Sequence, residues 1–148
     1  MLSAVRFDLR KGTDMTVTLP FAGHIYDVRE GQYLGSGKSF KAKLVPGWPL
    51  LYTVMKSRTE KIVVKAPAEV KRGETLALSF EAVGASGVQT FHVELFGPDG
   101  KFVRPYAANV RGNTVSWQLA LNDQPGVWTI RVTHVNTGLK AEKSFTLR

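Results

Sequence analysis

The side chains able to act as acids, bases, nucleophiles or metal ligands are few: three histidines, twelve carboxylates and no cysteine. Without thiols there are no thiolate nucleophiles, disulfides or thiolate-bound zinc. His24, His92 and His134 lie far apart and show neither HxH nor HExxH spacing. A metal site would need folding to gather them with a carboxylate. His92 and His134 both fall on strand patterns, which leaves a shared cross-strand neighbourhood open. Glycoside hydrolysis needs two carboxylates roughly 5–10 Å apart. Asp14, Glu30, Glu60, Glu69, Glu74, Asp99 and Asp123 fall instead in turns or on wet strand positions. Asp27, between Tyr26 and Val28, lies inside a strand pattern and reads as a turn-stabilising carboxylate or an ion-pair partner of Arg29. The run Gly35-Ser36-Gly37-Lys38-Ser39 echoes a phosphate loop but lacks the GxxxxGK spacing and a following helix, so it reads as a hairpin loop. Ser36 sits in no GxSxG elbow. No catalytic residue, metal ligand or cofactor is assigned.

Aromatic side chains carry the remaining binding chemistry. Pyranose C–H groups complement the negative face of an aromatic ring. Trp48, flanked by Pro46-Gly47 and Pro49, lies on a loop, and Tyr52, Tyr33 and Tyr106 are further members of a candidate ligand platform. Trp48 also reads as a plug between the two halves of the chain. Trp117 and Trp128 run in phase with Leu119 and Ile130 and are expected in the core.

The elements that must position these groups are strands. Leu76, Leu78, Phe80 and Ala82 alternate with polar or small residues, as do Phe91, Val93 and Leu95. Val115, Trp117, Leu119 and Leu121 follow the same period, and so do Trp128, Ile130 and Val132. A spacing of two, rich in β-branched and aromatic residues, is that of half-buried strands. No stretch keeps a helical apolar face for three turns. Gly97-Pro98-Asp99-Gly100, Arg111-Gly112-Asn113 and Asn136-Thr137-Gly138 read as tight turns, the last two as hairpins. In the first part, Lys11 to Asp14, Arg29 to Gly31 and Gly35 to Gly37 are expected to separate short strands at about 4–9, 14–19, 23–29, 32–34 and 38–45. Another strand carries Leu50 to Met55.

The chain has 148 residues, enough for one ordinary domain or two small ones. A polar break at residues 56–60 divides it into 1–57, a small or partial β-sandwich, and 58–148, an immunoglobulin-like sandwich of about seven strands. The net charge of +8 is shared evenly: eight basic and four acidic side chains precede residue 58, and twelve and eight follow. A nucleic-acid groove gathers its cations on one surface. This even spread therefore reads as a generally basic, solvated surface with no nucleic-acid partner. No apolar run is long enough to span a bilayer, so no membrane insertion is expected. Residues 1–10 lack the apolar stretch of a secretory signal.

Two stretches resemble known modules. Residues 22–35, with Tyr26-Asp27-Val28-Arg29 and Gly31-Gln32-Tyr33-Leu34-Gly35, followed by the strand to Leu44 and Pro46-Gly47, resemble the closing hairpins of large bacterial glycoside hydrolases. Residues 88–147 are similar to macroglobulin-like and bacterial immunoglobulin-like modules, through Val93 to Lys101 and Pro125 to Val132. The resemblance implies an accessory region of a larger secreted or periplasmic carbohydrate-active protein, with none of that protein's catalytic motifs. Its expected partner is a neighbouring domain of the parent polypeptide or a partner protein. The alternative is a carbohydrate-binding module, with a glycan as partner.

Overall fold

The structure, a computed structural model, describes residues 2–4 and 12–148. The strand expected at about 4–9 lies, from residue 5 onward, outside the described residues. The chain divides into two compact units, Met1–Thr59 with Asn136–Gly138, and Glu60–Val135 with Leu139–Arg148. Both are built of strands, and the fold is all-β.

The first unit is one antiparallel sheet of order β1-β4-β2-β3, from β1 (Leu2–Ala4), β2 (Thr13–Asp27), β3 (Gln32–Leu44) and β4 (Leu50–Met55). Among the described residues its strands are fewer and longer than expected: Arg29 to Gly31 is a turn as anticipated, but the gap at 20–22 and the break at Gly35 to Gly37 are absorbed within the β2–β3 ladder. Thr18 faces Ser39 and Gly23 faces Gly37, so five steps along β2 match two along β3. The surplus loop of backbone holds Pro20, whose missing N–H a bulge tolerates and a regular ladder does not. Gly35-Ser36-Gly37 is therefore a strand segment, not a hairpin loop. The turn that closes this ladder is made by Asp27, whose Oδ1 accepts the N–H groups of Arg29 (3.0 Å) and Glu30 (3.1 Å). That is the turn-stabilising role expected of this carboxylate.

The hairpin also doubles back. Phe40 pairs with Val17 and Tyr52 with Asp27, yet the Phe40 and Tyr52 rings lie 4.7 Å apart. Ten residues of straight β2 would hold Val17 and Asp27 about 33 Å apart. Bending at the bulge lets Met15, Val17, Phe40 and Ala42 pack on Ile25, Tyr52 and Val54 in one cluster. A single sheet thereby supplies both layers of its own core.

The second unit is a two-sheet sandwich. One sheet has the order β10-β7-β5, from β5 (Lys61–Lys65), β7 (Thr75–Val83) and β10 (Thr114–Gln118). The other has the order β6-β12-β11-β8-β9, from β6 (Glu69–Val70), β8 (Thr90–Phe96), β9 (Ala108–Arg111), β11 (Gly126–His134) and β12 (Lys140–Leu147). These are eight strands where about seven were expected, and all pairs are antiparallel except β6 with β12. The alternation read in the sequence becomes the burial pattern: Leu76, Phe91, Val93, Leu95, Ile130 and Val132 are at most 1% exposed. Trp128 is buried with them, its indole N–H donating to the Gln124 carbonyl (2.9 Å), while Trp117 is half-buried against the same core.

Two expectations fail locally. Leu121, in phase with Leu119, is 77% exposed, because β10 ends at Gln118 and the chain turns away before the next inward position. Arg111-Gly112-Asn113 is not a hairpin. It carries the chain from β9 in one sheet to β10 in the other, with Gly112 N–H on the Gln89 carbonyl and Asn113 C=O on Phe80 N–H. Asn136 to Gly138 does close a hairpin, between β11 and β12.

Ile130→Ala should cost about 2–5 kcal/mol of unfolding free energy in urea, as a large-to-small change in a dry core does. Leu121→Ala should stay within about 0.5 kcal/mol of the parent, as an exposed substitution does. Equal losses would contradict the placement of Leu121 outside the core.

Candidate functional site

The four aromatic residues of the expected platform occupy four different environments. Tyr52 is 7% exposed and lies under Phe40. Tyr33 is half-buried on the opposite face of the same sheet, the face shared by Tyr26 and His24. The Arg58 guanidinium lies 4.7 Å over its ring, the Tyr26 ring is 5.1 Å away, and its hydroxyl meets His24 Nδ1 at 2.9 Å. Trp48 follows a turn in which Pro46 presets φ and Gly47 adopts φ +71°, closed by the Trp48 N–H donating to the Val45 carbonyl at 3.2 Å. It is 54% exposed, with the Arg29 guanidinium 5.3 Å from its ring. Of the three in the first unit, Trp48 keeps the most open ring, and Tyr33 and Tyr52 lie on opposite sheet faces.

Tyr106, in the second unit, ends a single 3-10 turn (Arg104–Tyr106) that Pro105 initiates. Its ring is 7% exposed, edge-on to Trp117 and Trp128. Its hydroxyl donates to Asp123 Oδ2 (2.5 Å), and the Ala120 N–H donates to both the hydroxyl (2.9 Å) and that carboxylate oxygen (2.8 Å). Tyr106 and Asp123 thus brace the corner between β10 and β11. Burial, and then the bond to Asp123, raise the phenol's pKa.

The histidines do not converge. His92 points outward from β8, with Nδ1 2.8 Å from Asn109 Oδ1 and Nε2 3.6 Å from Glu94 Oε1. His134 is wholly buried on the inner face of β11, where Thr133, not His134, stands opposite His92. Strand alternation puts them on opposite sides of the sheet. Among the described residues no group of three His, Asp or Glu is placed to hold a metal ion.

One surface group escaped the sequence reading. On the outer face of the five-stranded sheet the Arg131 guanidinium lies 4.4 Å from the Phe96 ring and pairs with Glu142 at 2.8 Å, and Phe102, 45% exposed, lies 5.9 Å from Phe96. Spacing along the chain carries no signal for it, because β8, β11 and β12 bring these residues together only through cross-strand register. The contacts of Arg29 with Trp48 and of Arg58 with Tyr33 likewise join residues distant in the chain, here through turns and loops. Compared with known proteins, the chain matches no family model and no curated protein significantly.

The buried polar groups supply tests. Tyr26, wholly buried, accepts the Thr59 N–H (2.7 Å) and donates to the Thr59 carbonyl (3.0 Å). Tyr26→Phe leaves both backbone groups unpaired in a dry site and should cost about 1–3 kcal/mol. The Thr53 hydroxyl, beside Tyr26 in the ladder, is buried with no hydrogen-bond partner among the described residues. Thr53→Val should therefore be neutral or stabilising by up to about 1 kcal/mol.

Burial raises the pKa of Tyr26, Tyr52 and Tyr106 above 10.0. The unfolded phenols ionise first, so the stability these groups contribute is complete below about pH 10 and is lost as pH climbs through their folded values. Absorbance titration of tyrosinate should follow unfolding above that pH. Ionisation of Tyr26, Tyr52 and Tyr106 in the folded chain, without unfolding, would refute it.

Proposed function

We propose that this chain is a non-catalytic accessory region, two β-modules of a larger secreted carbohydrate-active protein that space, stabilise or dock a neighbouring domain or partner. The supporting observation is how its potentially reactive groups are spent. Asp27 caps a turn, Tyr26 pins the backbone of Thr59, and Tyr106 with Asp123 braces a corner. Each of these groups is engaged in holding strands and loops in place. The secreted or periplasmic location and the link to glycoside hydrolases rest on the resemblance of residues 22–35 and 88–147. The function rests on burial of apolar strand faces against a neighbour, worth roughly 25 cal/mol per Å² before ordering costs.

A second reading, carbohydrate binding, is favoured by Trp48 alone, which combines 54% exposure with a rigid Pro-flanked turn and a nearby guanidinium. A glycan array with the parent and Trp48→Ala separates the two, run beside a panel of chromogenic glycosides. The accessory reading expects no selective glycan signal and no turnover. A selective signal that Trp48→Ala abolishes would replace it with the binding reading, and turnover of any glycoside would overturn both.

A further inference from the structure

The sheets of the second unit end in β5 and β10 on one side of the sandwich's two layers and in β6 and β9 on the other. An open edge presents unpaired N–H and C=O groups to any passing strand, and proteins blunt it with charge or shortness. β5 carries Lys61 and Lys65 at its ends, β6 has only two residues, and β9 has four and ends in Arg111. β10, Thr114-Val115-Ser116-Trp117-Gln118, is not guarded in this way, and residues 112–122 contain no charged side chain.

The ladder fixes which backbone groups of β10 are open. Phe80 N–H donates to the Asn113 carbonyl (2.9 Å) and Leu119 N–H to the Glu74 carbonyl (3.0 Å), one at each end of the β7–β10 register. Bonding alternates along an antiparallel pair, so Val115 and Trp117 turn their backbone groups to β7. Those of Thr114, Ser116 and Gln118 point away from it, and no backbone group among the described residues meets them there.

The side chains follow the same alternation. Thr114, Ser116 and Gln118 are exposed on the outer face, where Thr114 and Ser116 line a shallow trough with Ala77 and Ser79. Val115 and Trp117 point inward, but they are only half-buried, whereas Leu78 and Leu76 opposite them on β7 are buried. The apolar layer of the core is unfinished at this edge.

The segment is complementary to itself. Turned about a two-fold axis at Ser116, a second β10 runs antiparallel to the first, so that Ser116 faces its own copy and Thr114 faces the copy's Gln118. All of these residues carry edge-pointing groups, so each facing pair can exchange both N–H···O=C bonds. Between them, on the inward side, Val115 faces the copy's Trp117, which continues the apolar layer. No like charges meet. The same operation on β5 sets Lys61 opposite Lys65.

We propose that β10 is a self-association edge, pairing antiparallel with β10 of a second copy of this chain about a two-fold axis at Ser116 and joining two three-stranded sheets into one.

The test is sedimentation velocity of the full chain from about 1 μM to about 1 mM, with amide hydrogen exchange across that range. A dimer should form as concentration rises, and the amides of Thr114, Ser116 and Gln118 should gain protection with it. Those of Val115 and Trp117, already turned to β7, should be protected throughout. Ser116→Pro removes an edge donor that β7 does not use and should raise the dimer dissociation constant about tenfold or more. Ser116→Lys and Ser116→Glu each set like charges face to face and should weaken the dimer about twofold to fivefold, whereas mixing the two should restore it. Protection of Val115 and Trp117 reports that a variant is folded, and the lysine and glutamate variants carry the test if the proline variant is not. A chain that stays monomeric over the whole range overturns the proposal, as does a dimer whose three edge amides remain unprotected. Edge amides already protected in the monomer, or Ser116 variants that associate as the parent does, overturn it equally.

Discussion

An antiparallel strand points successive side chains to opposite sides, and in the second unit one of those sides is dry. Everything else there follows from which phase a residue occupies. Phe91, Val93 and Leu95 meet Ile130 and Val132 across the β8–β11 ladder, and facing residues from β7 close the layer from the other sheet. A polar residue in the inward phase must bring its own partner, as His134 does with Gln89 and Trp128 with the Gln124 carbonyl. In the outward phase, charged and aromatic side chains are free to meet one another, which is how Arg131 comes to lie on Phe96.

The first unit meets the same demand with less chain. One hairpin cannot bury an apolar face while it stays flat, so it bends at a bulge and covers itself. The cost is irregular backbone in β2, and Pro20 falls where that irregularity leaves no ladder bond to break. On the other face of this sheet, Tyr26 lies over the backbone of Thr59, and its hydroxyl both gives and takes a bond there. The bend gives the described strands of this unit a common core, and the tyrosine pins the segment at Thr59 to them.

Polar groups near the ends of the sandwich serve connection more than reaction. The corner after β10 is braced by Tyr106 and Asp123, and the corner before β8 by Gln89. Both corners lie where the chain leaves a sheet and its backbone groups lose their ladder partners, so side chains replace them. The first brace is anchored by a phenol whose pKa is raised, the second by an imidazole whose pKa is lowered.

The period-two alternation was enough to read the strand content, the inward residues of β7, β8 and β11 and the core position of Trp128, while Asp27 was left between a turn and an ion pair until the structure placed its carboxylate on the Arg29 and Glu30 amides. These depend on residues close in sequence, whose directions the strand backbone dictates. Pairing was not legible there. The fusion of short segments into β2 and β3, the sheet switch at Gly112, the exposure of Leu121 and the opposite faces of His92 and His134 all depend on register between distant segments. So does the fate of the aromatic platform, since a tyrosine's type does not say whether Phe40, Arg58 or a corner carboxylate will cover it. Local chemistry determines which way a side chain leaves its strand; only the packed sheets decide what it meets there, because that partner arrives from elsewhere in the chain.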